Sequence, residues 1–302
     1  MFLNINPTLI GSLAILIWGV ALPFERLVIE EIGVYSWIGV QYGISGIVTL
    51  MINWRSRPIK KAYFMAPTLY GRWIFFILHI VSFTIAIGIV SRDHISFLIL
   101  LNYLWPTAII VSSIFVAGIK VKRVWAFLLG TLIVLLSLAI EIIGSKLVSV
   151  ELFQSSRDCI AYILAVFGAI SWGLYSSFSK RSGDSSGAGT VIPLFQLTLG
   201  LALPLSYFEP FYVPWHLTFN IAILAIVFSL LQVVAFQSWD HGMRKGNIVA
   251  LSLFADFIPW LSLFSASLFL HFELGVHTVL SAVCLVAGAM VTRYGVMGQV
   301  KT

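Results

Sequence analysis

His79, Asn102, Gln232 and Asp256 are polar side chains set inside long apolar runs, where a group cut off from water must find a partner or serve a solute. Asn102 precedes Pro106 within LLNYLWPTAII (Leu100 to Ile110), and Asp256 precedes Pro259 within SLFADFIPWLS (Ser252 to Ser262). A proline inside a helix donates no hydrogen bond to the carbonyl four residues earlier, so Pro106 frees the carbonyl of Asn102 and Pro259 that of Ala255. In hydrocarbon such groups survive only inside protein or beside a water-filled cavity. The two stretches are therefore expected to be facing walls of one polar cavity near mid-membrane, with Pro106 and Pro259 as hinges. The chemistry on offer is recognition without bond making. Asn102, His79, Gln232 and the freed carbonyls can hydrogen-bond a polar solute without a fixed full charge, while rings such as Trp172 and Tyr175 can stack on a flat one. Rings also attract an ammonium, by about 0.5–2 kcal/mol.

Three ionisable groups need separate readings. An ionised Asp256 in mid-span costs about 2.5–3.5 kcal/mol on insertion scales. It therefore either binds a substrate amine or a proton, or hydrogen-bonds the neighbouring kink. His79 can donate to a carboxylate or simply to a buried carbonyl. Glu141 lies near the end of its segment and is expected to reach the interface. Cys159 and Cys284 sit at different depths and imply neither a disulfide nor a metal site. No cofactor motif is present. A membrane enzyme would need HExxH or paired carboxylates at helical spacing, and a channel a charged ring or a filter sequence; the sequence has none of these.

The elements that must position these groups follow from composition. With 60% apolar and only 10% charged residues, against about 25% charged in soluble domains, the chain is an all-α polytopic membrane protein. Ten apolar segments of spanning length are expected near 7–27, 34–54, 71–91, 95–117, 122–144, 158–180, 188–208, 217–239, 247–270 and 275–296. The joins are too short for a water-exposed catalytic domain. The N-terminal stretch lacks basic residues and a small-residue cleavage site, and reads as a retained first helix. At 100° per residue, Gly168, Trp172, Tyr175 and Ser179 share a stripe, as do Gln232, Phe236 and Trp239. So do Ser252, Asp256, Pro259 and Ser262, and also His79, Ser82 and Ala86. Trp239 lies near a membrane end and also suits an interfacial position. Gly39 and Gly43 on the second segment, and Ala165, Ala169 and Gly173 on the sixth, allow backbones to approach closely within the molecule.

Spacing repeats along the chain. Trp18-Gly19 recurs as Trp172-Gly173 at an offset of 154, while Pro106 and Pro259, like His79 and Gln232, are 153 apart. Residues 1–145 and 150–302 thus read as two five-helix repeats, and because five is odd the second must be inverted, around a central cavity. Of the 18 Lys and Arg, all but Arg26, Arg92, Lys146 and Arg157 fall on one side, which places both termini in the cytoplasm. The run Arg55–Lys61 reads as a solvated, lipid-contacting loop rather than a nucleic-acid site, and Gly183 to Gly189 as a flexible loop.

Asn102-Tyr103-Leu104-Trp105-Pro106, Trp18-Gly19, the segment Trp239 to Asn247 and a proline twelve residues beyond that Asn resemble the drug/metabolite transporter superfamily (EamA-like). Within it, NYLWP is most similar to the YddG-type aromatic amino acid exporters. The resemblance implies a ten-helix bacterial inner-membrane exporter whose cavity opens alternately to each side and accepts small aromatic solutes. It places Asn102, Tyr103 and Trp105 at that cavity, with His79 and Trp172 beside it. Asp256 stands where the family pattern suggests a neutral or aromatic residue, which leaves proton coupling and a more cationic cargo as alternatives. The expected partners are an aromatic amino acid and the lipid bilayer.

Overall fold

The structure, a computed structural model, describes residues 6–53, 66–144, 156–183, 191–208, 216, 218–271 and 273–296. The loop Arg55–Lys61, most of the Gly183–Gly189 loop and the join between the expected repeats lie outside them. The described residues are helical throughout, with no strand: α1 Pro7–Ile32, α2 Val34–Asn53, α3 Pro67–Ile89, α4 Ile95–Asn102, α5 Trp105–Val116, α6 Val124–Gly144, α7 Ser156–Ser182, α8 Ile192–Gly200, α9 Phe219–Lys245, α10 Ile248–Ala255, α11 Ile258–Leu270 and α12 Val276–Val296. Nine spans among them are long and apolar enough to cross a membrane, counting α4 with α5 and α10 with α11.

Two expectations need correction. The segment near 188–208 is not one long helix: α8 stops at Gly200, and Leu203–Phe208, which contains Pro204, is a 3-10 turn. Glycine and proline end the α-helical ladder there. The first helix runs to Ile32 rather than to residue 27, giving 26 residues and a length of about 39 Å.

The breaks also differ from simple kinks. α4 and α5 are separated by Tyr103-Leu104, and α10 and α11 by Asp256-Phe257; each proline sits in the first turn of the second half-helix. That is where proline is least costly, because the first N–H groups of a helix lack intrahelical acceptors anyway.

The most extensive helix pairings are α6 with α12, α3 with α7, α1 with α9, α2 with α8, α5 with α7 and α1 with α11. Small residues set several of these. A Cβ on Gly173 would lie 2.6 Å from the Ala108 carbonyl carbon, and one on Gly19 would lie 2.8 Å from Leu261. Ala108 and Leu261 each stand two residues beyond a break proline, so each glycine lets a helix ride directly over the opposite break. Basic side chains cap helix ends. Arg26 donates to the carbonyls of Ile87 and Val90 at the end of α3, and Lys180 Nζ donates to Gly246 O at the end of α9 at 2.7 Å.

Candidate functional site

The site is built outward from α1. Pro23 lies inside this helix and leaves the Gly19 carbonyl without its helical donor. Ser262 Oγ of α11 donates to that carbonyl at 2.8 Å, and the same hydroxyl hydrogen-bonds the Tyr103 hydroxyl at the other break. One serine thus ties α1 to both broken helices.

Above this tie lies a cavity of about 80 Å³. Trp18, Ala21, Leu22 and Glu25 of α1 form one stripe of its wall, as their spacing of three, four and seven residues requires. Tyr42 of α2 and His79, Ile80, Phe83 and Thr84 of α3 form a second side. Asn102, Tyr103 and Trp105 come from the first break, Ile258 from the second, and Trp172, Gln232 and Phe236 from α7 and α9. A wider recess of about 470 Å³ lies at the helix ends, lined by Arg92, Asp93, His271, Glu273 and His277 among others. It has no Phe, Tyr or Trp, and its exposed charged lining marks it as surface.

Aromatic rings make the cavity's rigid wall. Trp18 stands edge-on to Trp172, with centroids 5.2 Å apart and planes at 87°. His79 lies 4.6 Å from Trp172, and Phe236 5.4 Å from Trp18. Behind them Trp239 contacts Trp18, Trp105 and Trp172 at 5.5, 5.4 and 5.9 Å and donates to Ser176 Oγ at 3.2 Å. Offset and edge-to-face pairs at such spacings add about 0.5–1.5 kcal/mol each beyond burial.

The polar groups are mostly neutral and already oriented. His79 Nδ1 is 2.9 Å from Gly168 O. Trp18 Nε1 donates to Gln232 Oε1 at 2.9 Å, and the Gln232 amide nitrogen donates to Glu25 Oε1 at 3.4 Å. Gln41 Nε2 donates to the same oxygen at 3.3 Å. These contacts fix the amide orientation of Gln232, which accepts from indole with its oxygen and donates to carboxylate with its nitrogen.

Of the residues singled out in the sequence, His79, Asn102, Tyr103, Trp105, Trp172 and Gln232 line this one cavity. Tyr175 does not: it lies one turn beyond Trp172, packed on it and on Phe76 at 4.9 and 5.4 Å. Asp256 does not either. It forms an ion pair with Arg293 of α12, whose Nη1 also reaches Asp256 Oδ1 and Ser252 O, both at 3.0 Å. The helical phase that put Asp256 on one face with Pro259 and Ser262 does not carry across the break at Asp256-Phe257. Glu141 is fully buried rather than interfacial, accepting from Ser96 Oγ at 3.2 Å and Thr278 Oγ1 at 3.0 Å. Trp239 is likewise fully buried, because α9 continues to Lys245.

The group that sequence reasoning missed is Glu25. The first helix was expected to end near residue 27, and Glu25, two residues short of that end, was not singled out. The available signal was its heptad spacing from Trp18.

Comparison with known proteins agrees with this architecture. Residues 159–294 match the EamA-like transporter family. The chain is 25% identical over 263 residues to the aromatic amino acid exporter YddG of Escherichia coli (strain K12), covering 84% of this chain and 85% of that protein. It is 25% identical over 291 residues to the aromatic amino acid exporter YddG of Salmonella typhimurium (strain 14028s / SGSC 2262), covering 94% and 95%. One protein crystal structure superposes on 95% of this chain and 97% of its own at a TM-score of 0.70 with 20% sequence identity, which shows the fold. The second half of the chain thus matches the EamA-like transporter family, and most of its length is similar to two aromatic amino acid exporters.

Proposed function

We propose that this multi-pass membrane protein is a bacterial inner-membrane secondary transporter that exports aromatic and other apolar amino acids by alternating access, with both termini cytoplasmic. The observation that carries the reading is the cavity between the two helix breaks, walled by aromatic rings and furnished with hydrogen-bonding groups that are mostly neutral. His79, Asn102, Tyr103, Trp105, Trp172 and Gln232 contact the cargo, and Tyr175 backs Trp172. Contacts of this kind hold an amino acid weakly enough to release it, so that both access states stay within a few kcal/mol of each other.

Residues 1–145 and 150–302 act as two inverted five-span repeats that rock about the breaks at Pro106 and Pro259. Exchange of α1–α6 with α7–α12 carries the pairing α3·α7 onto α1·α9, carries α5·α7 onto α1·α11, and leaves α2·α8 and α6·α12 unchanged. The same exchange takes Gly19 over Leu261 to Gly173 over Ala108. A repeat with an odd number of crossings enters the membrane from the opposite side. The cavity, at about 80 Å³, is well below the roughly 300–1,000 Å³ of sites that hold drug-sized ligands, so rocking must also widen it. Two ion clusters stand at opposite ends of α3, Arg72 with Asp240 and Arg244, and Arg26 with Glu30 and Arg92; both are formed in this structure, and rocking would open one while the other holds. A second reading, export of cationic or amphipathic compounds bound at Asp256, loses its residue to the pair with Arg293.

The test is uptake of labelled phenylalanine, tryptophan, methionine and threonine into proteoliposomes. Saturable flux of the aromatic pair, with threonine slowest, is the expected result. No saturable flux of any of them would overturn the amino-acid reading.

A further inference from the structure

We infer that Glu25 is the ammonium-binding group of the cavity, so that the best cargo is an aromatic monocation, such as an arylalkyl amine or an amino acid whose carboxylate is masked. The inference rests on the reading of this cavity as the cargo site and names the class of cargo it selects.

The other acids of the helices set the comparison. Among the described residues, Asp240 is paired with Arg72 and Arg244, Asp256 with Arg293, and half-buried Glu30 with Arg26 and Arg92. Asp158 and Glu141 each have a histidine nearby, His94 at 3.4 Å and His277 at 4.0 Å, besides the hydroxyls of Ser91, Ser96 and Thr278. A carboxylate removed from water calls for such partners. Glu25 has no lysine, arginine or histidine paired with it among the described residues. Its contacts are the two glutamine amides, both on Oε1, which leaves Oε2 without a protein hydrogen-bond partner among the described residues, in the wall of the cavity. A carboxylate offers about four lone-pair sites, so the unused oxygen of this cavity-lining residue can accept at least one strong donor. A guest ammonium supplies what arginine supplies elsewhere in this molecule.

The rest of the lining agrees in charge and shape. No lysine or arginine lines the cavity among the described residues, so an α-carboxylate finds only neutral donors such as Asn102 there. Trp18, in one stripe with Glu25 on α1, and Trp172 across from it also line the cavity, where they can take the ring of the guest and, by their faces, its cation. A guest with one positive charge and no negative one therefore neutralises the cavity, whereas a zwitterion leaves its carboxylate unmatched.

Four ligands on one phenyl skeleton test this: phenethylamine, phenylalanine methyl ester, phenylalanine and 3-phenylpropionate, titrated calorimetrically into the full chain in nanodiscs. The two cations are expected to bind about tenfold more tightly than phenylalanine, or 1.4 kcal/mol, and the anion not to bind. Glu25→Gln, which keeps the size and the amide partners, is expected to abolish the preference, while Glu25→Asp keeps part of it. Wild type that binds phenylalanine but prefers neither cation, or a folded Glu25→Gln that keeps the preference, overturns the inference and leaves the amino-acid reading standing. Binding of none of the four overturns that reading and this one together. If Glu25→Gln fails to fold, the wild-type ranking and Glu25→Asp still decide.

Discussion

Asp256→Asn separates a structural carboxylate from a cargo-binding one. Asp256 is 4% exposed and Arg293 is 0% exposed, so the substitution leaves a guanidinium buried without its counter-ion. Removing one partner of such a pair costs about 3–5 kcal/mol. Arg293 keeps its 3.0 Å bond to Ser252 O, and the asparagine oxygen can still accept one of the arginine donors, which places the cost near the low end, at about 3 kcal/mol. At 2–4 °C per kcal/mol for chains of about 150–250 residues, the melting midpoint of the detergent-purified protein should fall by about 6–12 °C. Arg293→Met added to Asp256→Asn removes the stranded charge and should recover most of that fall, since apolar replacement of a buried pair is often neutral or better. Phenylalanine affinity, measured by calorimetry on the same samples, should stay within about twofold of wild type in both variants, a difference under 0.5 kcal/mol. An unchanged midpoint with affinity reduced tenfold or more in Asp256→Asn would refute the reasoning and return Asp256 to the cargo site.

Two further outcomes follow from the seams. Gly173→Ala should cost about 1–3 kcal/mol in thermal unfolding, because its Cβ meets the Ala108 backbone at 2.6 Å; Gly19→Ala should cost a similar amount, because its Cβ meets the Leu261 Cβ at 2.8 Å, an atom that side-chain rotation does not move. Ser262→Ala strips a partner from both the Gly19 carbonyl and the Tyr103 hydroxyl and should lower stability by about 1–3 kcal/mol. Ser262→Thr, which keeps the hydroxyl, should lose less in the same melt.

Most of the spans were legible because apolar runs of this length have few alternatives, and the breaks because proline carries its own backbone chemistry. Six of the cavity-lining residues were legible too: each is polar or aromatic at mid-depth, beside a break or a repeated tryptophan. The errors share a cause, which is that position along a helix says little about what a neighbour supplies. Asp256 was read on a helical wheel drawn through a break, where the phase is lost. Glu141 was read from its nearness to a helix end, although α12 runs alongside α6 and brings Thr278 to it. Glu25 was hidden by a boundary drawn five residues early. The shortness of α8 was foreshadowed by Gly200 and Pro204 but masked by the apolar residues around them.

The crossing of α1 over α11, and of α7 over α5, bears on how the chain is made. The principal partners of α1 are α9 and α11, synthesised some 200 residues later. During biogenesis α1 cannot make these contacts until the last third of the polypeptide has been inserted. Such long-range closure is slow and leaves an interval in which an incomplete bundle can pair wrongly or be degraded. A truncation shortly before residue 248 would remove Ser262 and Leu261 and should yield a chain that inserts but does not mature.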